Sequence, residues 1–319
     1  MIPFRKDPMT DLVVRALTED DTDLFTSFDA SAPAPALVGR GAFGNTYLPV
    51  HRGGEYRPDW TWVALRDGKV VARAAWWGGP GDETPKALDW FDFADGEAEA
   101  AVRLLRTAPL RSEYCLIAPP GWRELPDARA AVEARVAAAE AAGMRVLVER
   151  FRYEWTTGCP LPERTGRLVC RPEPDDAVIR DVLGRTMHGT LDAHDARNVA
   201  ELGLEAAVDD AMEFLGWLPS PRAWWKLART PGGELVGIHI PARNPAGPCV
   251  GYIGVVPEQR GHGYAYDLLV ECTHDLVAEG ATRIAAATDQ GNFPMAAHFA
   301  KAGYPVSQER IDLLPPPEG

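Results

Sequence analysis

Lysine is nearly missing from this chain, at five residues of 319, and the 33 basic side chains are outnumbered by 46 acidic ones. The net charge of -13 and a pI near 5.0 leave no basic surface to displace phosphate counterions, which excludes nucleic acid as an expected partner and favours cationic ones. The preference for arginine over lysine points to genome composition rather than to a function. Cysteine is scarce too. Cys115, Cys159, Cys170, Cys249 and Cys272 are odd in number and widely spaced, with no CxxC pair or Cys/His cluster, so neither a zinc site nor a disulfide framework is expected. They are expected to be reduced and buried, and no metal site is expected. No apolar run approaches the ~20 residues of a spanning helix, and mean hydropathy is -0.21, so no membrane partner is expected. The opening MIPFRKDPMT lacks the ~7–15-residue apolar stretch of a signal peptide, and the expected location is cytoplasmic.

What is present is 46% hydrophobic residues over a length that suits one large domain or two of roughly 150 residues. The two halves repeat one plan. A strand at 12–15 (LVVR) precedes TEDDTDLFTSF, and a strand at 167–171 (RLVCR) precedes PEPDDAVIRDVL, whose Pro and Asp suit a helix start. Each half then carries a hairpin. TWVALRDGKVVARAAWW turns at Asp67-Gly68, and AWWKLARTPGGELVGIHI turns at Pro231-Gly232-Gly233. The first half continues with a helix at 96–108, strand SEYCLIA, a helix at 127–142 and strand RVLVERFRYEW. The second offers strand CVGYIGVV, a helix at 262–279, strand TRIAAAT, a helix at 292–302 and a last strand from Tyr304. Ala265, Leu268, Leu269, Cys272 and Leu276 form one apolar helical face against a sheet. The expected fold is α/β, with domains at 1–155 and 167–319 joined by a Gly- and Pro-containing linker at 156–166.

The stretch YIGVVPEQRGHGYA at 252–265 carries the chemistry. An apolar strand stops at Pro257, and a Gly-containing turn leads straight into a helix, where amide N–H groups and the helix dipole suit a pyrophosphate. A dinucleotide GxGxxG/A site fails on spacing, because the third small residue would be Tyr266. The order Val-x-Pro-x-x-Arg-x-x-Gly-x-Ala instead resembles the acetyl-CoA signature of the GNAT acetyltransferase superfamily, with Arg260, Gly263 and Ala265 at its fixed positions. Downstream, TDQGNFPMAAHFAKAGY is similar to the family's later motif, with Asn292, Phe299 and Gly303-Tyr304 in the expected places.

The resemblance implies two tandem GNAT-like domains, each a mixed, mostly antiparallel sheet flanked by helices, with acetyl-CoA as cosubstrate. It implies that two strands splay apart to admit the pantetheine arm along Ile253 and Val255. The phosphates would meet Arg260, Gly261, His262, Gly263, Tyr264 and Ala265, with Asn292 nearby. An amine would attack the thioester directly, with a main-chain N–H near Val255 stabilising the oxyanion. The sequence departs from the family at the proton-handling groups: strand 249–256 has no Glu, and the tyrosine expected to protonate the thiolate is Phe299. Asp289 and His239 are the nearest candidate catalytic residues, against readings as a helix cap and a half-buried strand residue; Tyr252 and Tyr264 supply hydroxyls. Seven acids between Asp192 and Glu213 face one base, Arg197, an acidic stretch that suits a cationic acceptor although most of these side chains fit a solvated helix face. Asp192 and Tyr252 are the candidate acceptor contacts. The first half has no equivalent of the Gly turn, its counterpart LDWFDFADGEAEAA being acidic, and reads as a degenerate copy whose aromatics at Trp60, Trp62, Trp76, Trp77, Trp90, Phe91 and Phe93 serve packing more readily than a pocket. The expected partner is a small-molecule primary amine. Mycothiol-synthase-like and protein N-acetyltransferases, and a non-catalytic acyl-CoA sensor, are the alternatives.

Overall fold

Asp67 and Gly68 both have positive φ, at 50° and 77°, the geometry of a type I′ turn, which matches the twist of paired strands. In the computed structural model, which describes residues 12–28, 38–39, 46–79 and 81–317, they join β2 (Thr61–Arg66) to β3 (Lys69–Trp77). The chain begins with β1 (Leu12–Ala16) and a single-turn α1 (Asp23–Thr26), and continues past the hairpin through β4 (Ala87–Phe93), α2 (Ala98–Thr107), β5 (Glu113–Ala118), α3 (Pro126–Ala141) and β6 (Arg145–Thr156). The second half runs β7 (Val169–Pro172), α4 (Asp176–Met187), α5 (Ala193–Leu202), α6 (Leu204–Trp217), β8 (Lys226–Arg229), β9 (Leu235–Asn244), β10 (Gly247–Val255), α7 (Tyr264–Ala278), β11 (Arg283–Asp289), α8 (Phe293–Lys301) and β12 (Val306–Leu314). The opening ten residues, on which the signal-peptide expectation rests, lie outside the described residues. No helix among the described residues is long and apolar enough to cross a membrane.

Two units follow one topology. The first comprises residues 1–148 and 309–319, the second 149–308. In the first the strand order is β1-β2-β3-β4-β5-β12, and in the second β7-β8-β9-β10-β11-β6, so both are mixed sheets that are antiparallel except for one parallel pair, β4/β5 or β10/β11. These boundaries differ from the expected 1–155, 156–166 and 167–319 because the closing strands are exchanged. From Glu149 onward β6 pairs with β11, and from Glu309 onward β12 pairs with β5, each completing the sheet of the other half of the sequence. The stretch 156–166 therefore belongs to the second unit.

Alternation along β9 sets the layers of that unit. Ile238, Ile240 and Ala242 pack with Ile179, Leu183, Val208 and Leu215 of α4 and α6. The residues between them face α7, on the side where Leu269, Cys272, Leu276 and Phe299 form a second cluster. Cys115, Cys249 and Cys272 are buried, Cys159 and Cys170 are half-buried, and all five are free thiols. In the first unit Trp60, Trp76, Trp77, Trp90 and Phe91 are buried in its cores.

Candidate active site

The site of the second unit begins with a bulge. Val250 pairs with Pro241 and Tyr252 with Ile240, leaving Gly251 as the extra residue; a Cβ there would stand 2.8 Å from Ala242 Cβ and 2.9 Å from Ile240 O, so only glycine fits. Beyond this point β10 and β11 separate, their one registered parallel pair being Cys249 with Ala285. The Val256 N–H donates to Val236 O at 3.0 Å. The antiparallel alternation then turns the main-chain groups of Ile253 and Val255 away from β9 and into the gap. A cleft of about 660 Å³ opens there, walled by β10, the N-terminal end of α7, α8 and the segment between α4 and α5.

The mouth of the cleft is the Gly turn. Gly261 and Gly263 have φ of 82° and 77°, and a Cβ on Gly261 would meet nothing within 4 Å. Among the described residues the amide groups of Gly261, His262, Gly263, Tyr264 and Ala265 donate to no acceptor, while Arg260 N–H is spent on Pro257 O. The 15-residue α7 opens at this point with Gly263 as its cap and no side-chain capping bond, so five amides and a helix dipole face outward together. Gly261, Gly263, Tyr264 and Ala265 line the cleft. The Arg260 side chain does not wait for a phosphate: its guanidinium donates to the carbonyls of Thr186, His188 and Val255 at 2.8, 2.6 and 3.2 Å, tying the Gly turn to the segment after α4. Sequence reasoning missed Arg167, which donates to His262 O at 2.8 Å, pairs with Asp267 at 3.0 Å and lies over the Tyr264 ring. Asn292 lines the cleft and caps α8, accepting from Met295 N–H at 3.3 Å.

At the other end is an acidic pocket assembled on one arginine. Arg150 of β6 donates to Asp192 at 2.9 Å and pairs through Nε with Asp289 at 3.0 Å. Asp192 caps α5, its Oδ1 accepting from the amides of His194 and Asp195, and Asp289 accepts from Ala193 N–H at 2.6 Å. Burial and the Asp192 charge raise Asp289 above the ordinary aspartate range, against the opposing pull of Arg150. Both of its oxygens are engaged, it is 3% exposed, and it is not a wall of the cleft, so the expected catalytic position is a structural one. His239 is also misplaced by the expectation. It lies on the α7 side of β9, fully buried, with Nε2 2.9 Å from the Asp275 carboxylate, and has no access to the cleft. Asp192 and Tyr252 do line the cleft, with Tyr252 Oη 2.9 Å from Thr186 Oγ1. Phe299 lines it as well, stacked on Tyr153 at 4.3 Å between ring centroids. The residue that the sequence did not mark is Asp195, one turn into α5. It faces the cleft, and burial and the neighbouring Asp192 lift its pKa to about 6.

The first unit repeats the parting and then fills it. Asp89 is the extra residue of the β3/β4 bulge, and β4 leaves β5 after Leu88. Phe91, two residues past the bulge as Ile253 is past Gly251, donates its N–H to Gly39 O at 3.0 Å. Its carbonyl accepts from Arg135 of α3 at 3.1 Å, and the same guanidinium pairs with the buried Asp92 at 2.7 Å. The main-chain edge that stands open in the second unit is thus closed by the chain itself in the first.

Residues 195–304 match the acetyltransferase (GNAT) family. The whole chain is similar in fold to a GCN5-related N-acetyltransferase from Sphaerobacter thermophilus, at 14% identity and a TM-score of 0.57, with 97% of this chain and 98% of that one covered. It is also similar to a fungal GCN5-related glucosamine N-acetyltransferase region within a multi-domain GH3 β-N-acetylglucosaminidase, at 13% identity and a TM-score of 0.53, covering 98% of this chain and 40% of that one. A search of curated proteins finds no match to this sequence. The Gly turn, the parted strands and the matched residues agree: the second unit carries an acetyltransferase (GNAT) family domain at 195–304, and the whole chain shares the fold of a GCN5-related N-acetyltransferase.

Proposed function

We propose that the second unit binds acetyl-CoA and passes its acetyl group to the primary amine of a small molecule, by direct attack of the amine on the thioester. The observation that carries this reading is the cleft between β10 and β11, where the edge groups of Ile253 and Val255 face an open gap that ends at five unpartnered amides. The donors suit the cosubstrate: an extended amide-containing arm along a strand edge, and a pyrophosphate on a helix N-terminus that needs no lysine. When bound, acetyl-CoA supplies a thioester carbonyl. Val255 N–H, turned away from β9 into the gap, is the donor available to the charge that develops on that oxygen. Asp192 and Asp195 give the acceptor end a negative field that draws in an ammonium group. The first unit contributes no second cosubstrate site, since Gly39 and Arg135 occupy the positions an arm would take.

The test is release of free thiol from acetyl-CoA in the presence of tyramine, D-glucosamine, L-lysine and spermidine, with mass spectrometry of the amine product. Amine-dependent thiol release that is lost in Gly263→Asp supports the reading. Tight acetyl-CoA binding with no thiol release for any of these amines favours a non-catalytic sensor.

A further inference from the structure

We propose that Asp195 is the general base for the acceptor amine, and that Arg150, Asp192 and Asp289 form the frame that keeps it poised. The inference rests on the acetyl-transfer reading above. Three carboxylates, Asp192, Asp195 and Asp289, are gathered around a single guanidinium, and the geometry divides their roles. Asp192 has one oxygen on Arg150 and the other on two amides of α5. Asp289 has one on Arg150 and one on Ala193 N–H, and stands behind the cleft wall. Asp195 alone of the three lines the cleft while its carboxylate has no hydrogen-bonded or ion-paired partner among the described residues.

The surrounding charges explain why this carboxylate exchanges protons near neutrality. Asp192 beside it and Asp289 from β11 raise its proton affinity, on top of burial, while Arg150 from β6 and His194 on its own helix oppose them. Tyr252 from β10 is the remaining titratable neighbour, held neutral by burial and by the Asp195 charge itself. A carboxylate with a pKa near 6 is ionised at pH 7 yet a far better proton acceptor than an ordinary aspartate. His298, the other titratable group of the cleft wall, is pulled down by burial and by Lys301, and its remaining charged neighbour is Asp267 of the first turn of α7, so it belongs to the cosubstrate end. In the step itself the ammonium gives one proton to Asp195, the freed nitrogen pair forms the bond to the acetyl carbon, and the carbon–sulfur pair leaves on sulfur. The second nitrogen proton ends on that sulfur, and Asp195 returns its proton to solvent.

The test is the pH dependence of kcat/KM for whichever of the four amines above is turned over, in the wild type, Asp195→Asn, Asp195→Glu and Asp289→Asn, alongside acetyl-CoA affinity by calorimetry. The wild type should rise with pH through a limb near 6. Asp195→Asn should lose the limb and about 10²-fold or more of kcat/KM with acetyl-CoA affinity intact, and Asp195→Glu should keep a limb. Asp289→Asn, which removes one of the charges that raise Asp195, should keep the limb but move it to lower pH. An Asp195→Asn enzyme within about threefold of wild type, limb included, overturns the proposal. So does carboxyl-labelled aspartate NMR of the wild type that finds no carboxyl titrating near pH 6, a measurement that holds even if the Asn variant fails to fold. No thiol release by the wild type with any of the amines is instead the failure of the acetyl-transfer reading, which takes this proposal with it.

Discussion

Replacing Asp195 by Asn should make the protein more stable at neutral pH while it removes the proposed base. The folded state raises this carboxyl from the ordinary 3.8 to about 6, and at ~1.4 kcal/mol per tenfold in proton affinity that gap is on the order of 3 kcal/mol. The sign follows from which state holds the proton more tightly. Here it is the folded one, so the ionised carboxylate opposes folding by the full amount above pH 6, by less between 6 and about 4, and by nothing below. The neutral amide escapes this cost. Asp195→Asn should therefore gain up to about 3 kcal/mol at pH 8, roughly 6–12 °C in Tm for a unit of this size, and nothing near pH 4. Urea denaturation of both proteins at pH 4, 5, 6 and 8 gives the comparison directly. A gain that is the same at every pH, or a loss at pH 8, refutes the argument that Asp195 carries an uncompensated charge in the fold.

Arg150→Met removes the guanidinium that Asp192 and Asp289 share, and should cost roughly 3–5 kcal/mol at pH 8, with partial relief on acidification as the buried Asp289, already raised by burial, protonates; chemical denaturation at pH 5.5 and 8 checks both parts. Gly263→Asp puts a negative side chain at a φ of 77° beside the open amides, and calorimetry should show acetyl-CoA binding abolished in a protein whose far-UV circular dichroism is unchanged. Acetyl-CoA should raise the Tm of the wild type, and native mass spectrometry should find one molecule bound per chain, since Phe91 is already bonded to Gly39 and Arg135 in the first unit.

The elements most legible in the sequence are those governed by local chemistry. Asp67-Gly68 dictates a hairpin because few other pairs accept two positive φ values, and the apolar face from Ala265 to Leu276 has only one amphipathic arrangement. Three helices, α4 to α6, follow the helix start at PEPDD and run through the acidic stretch; α4 and α6 bury apolar residues such as Ile179, Leu183, Val208 and Leu215, while α5 has no buried residue to mark a core face. The exchange of β6 and β12 was not legible at all. Both strands mix apolar with charged residues, both follow a helix, and nothing in either states which parallel pair it closes. The site divides the same way. Gly261, Gly263 and Ala265 mark a strand-to-helix turn by spacing, whereas Asp195 differs from the other acids of its stretch only by its orientation and by the company of Arg150 from β6 and Asp289 from β11. His239 and Asp289 were attractive as titratable residues next to the motif strand, but strand alternation sends His239 to α7 and an ion pair holds Asp289 behind the wall.

Hydrogen–deuterium exchange of the full chain with and without acetyl-CoA tests the central claim most directly, because the account names the amides that the cosubstrate covers. Peptides spanning 250–265 should gain protection, from the edge groups of Ile253 and Val255 through the five amides of the Gly turn, and peptides spanning 87–93 should exchange unchanged. Protection at 87–93, or none at 250–265 at saturating acetyl-CoA, contradicts the account.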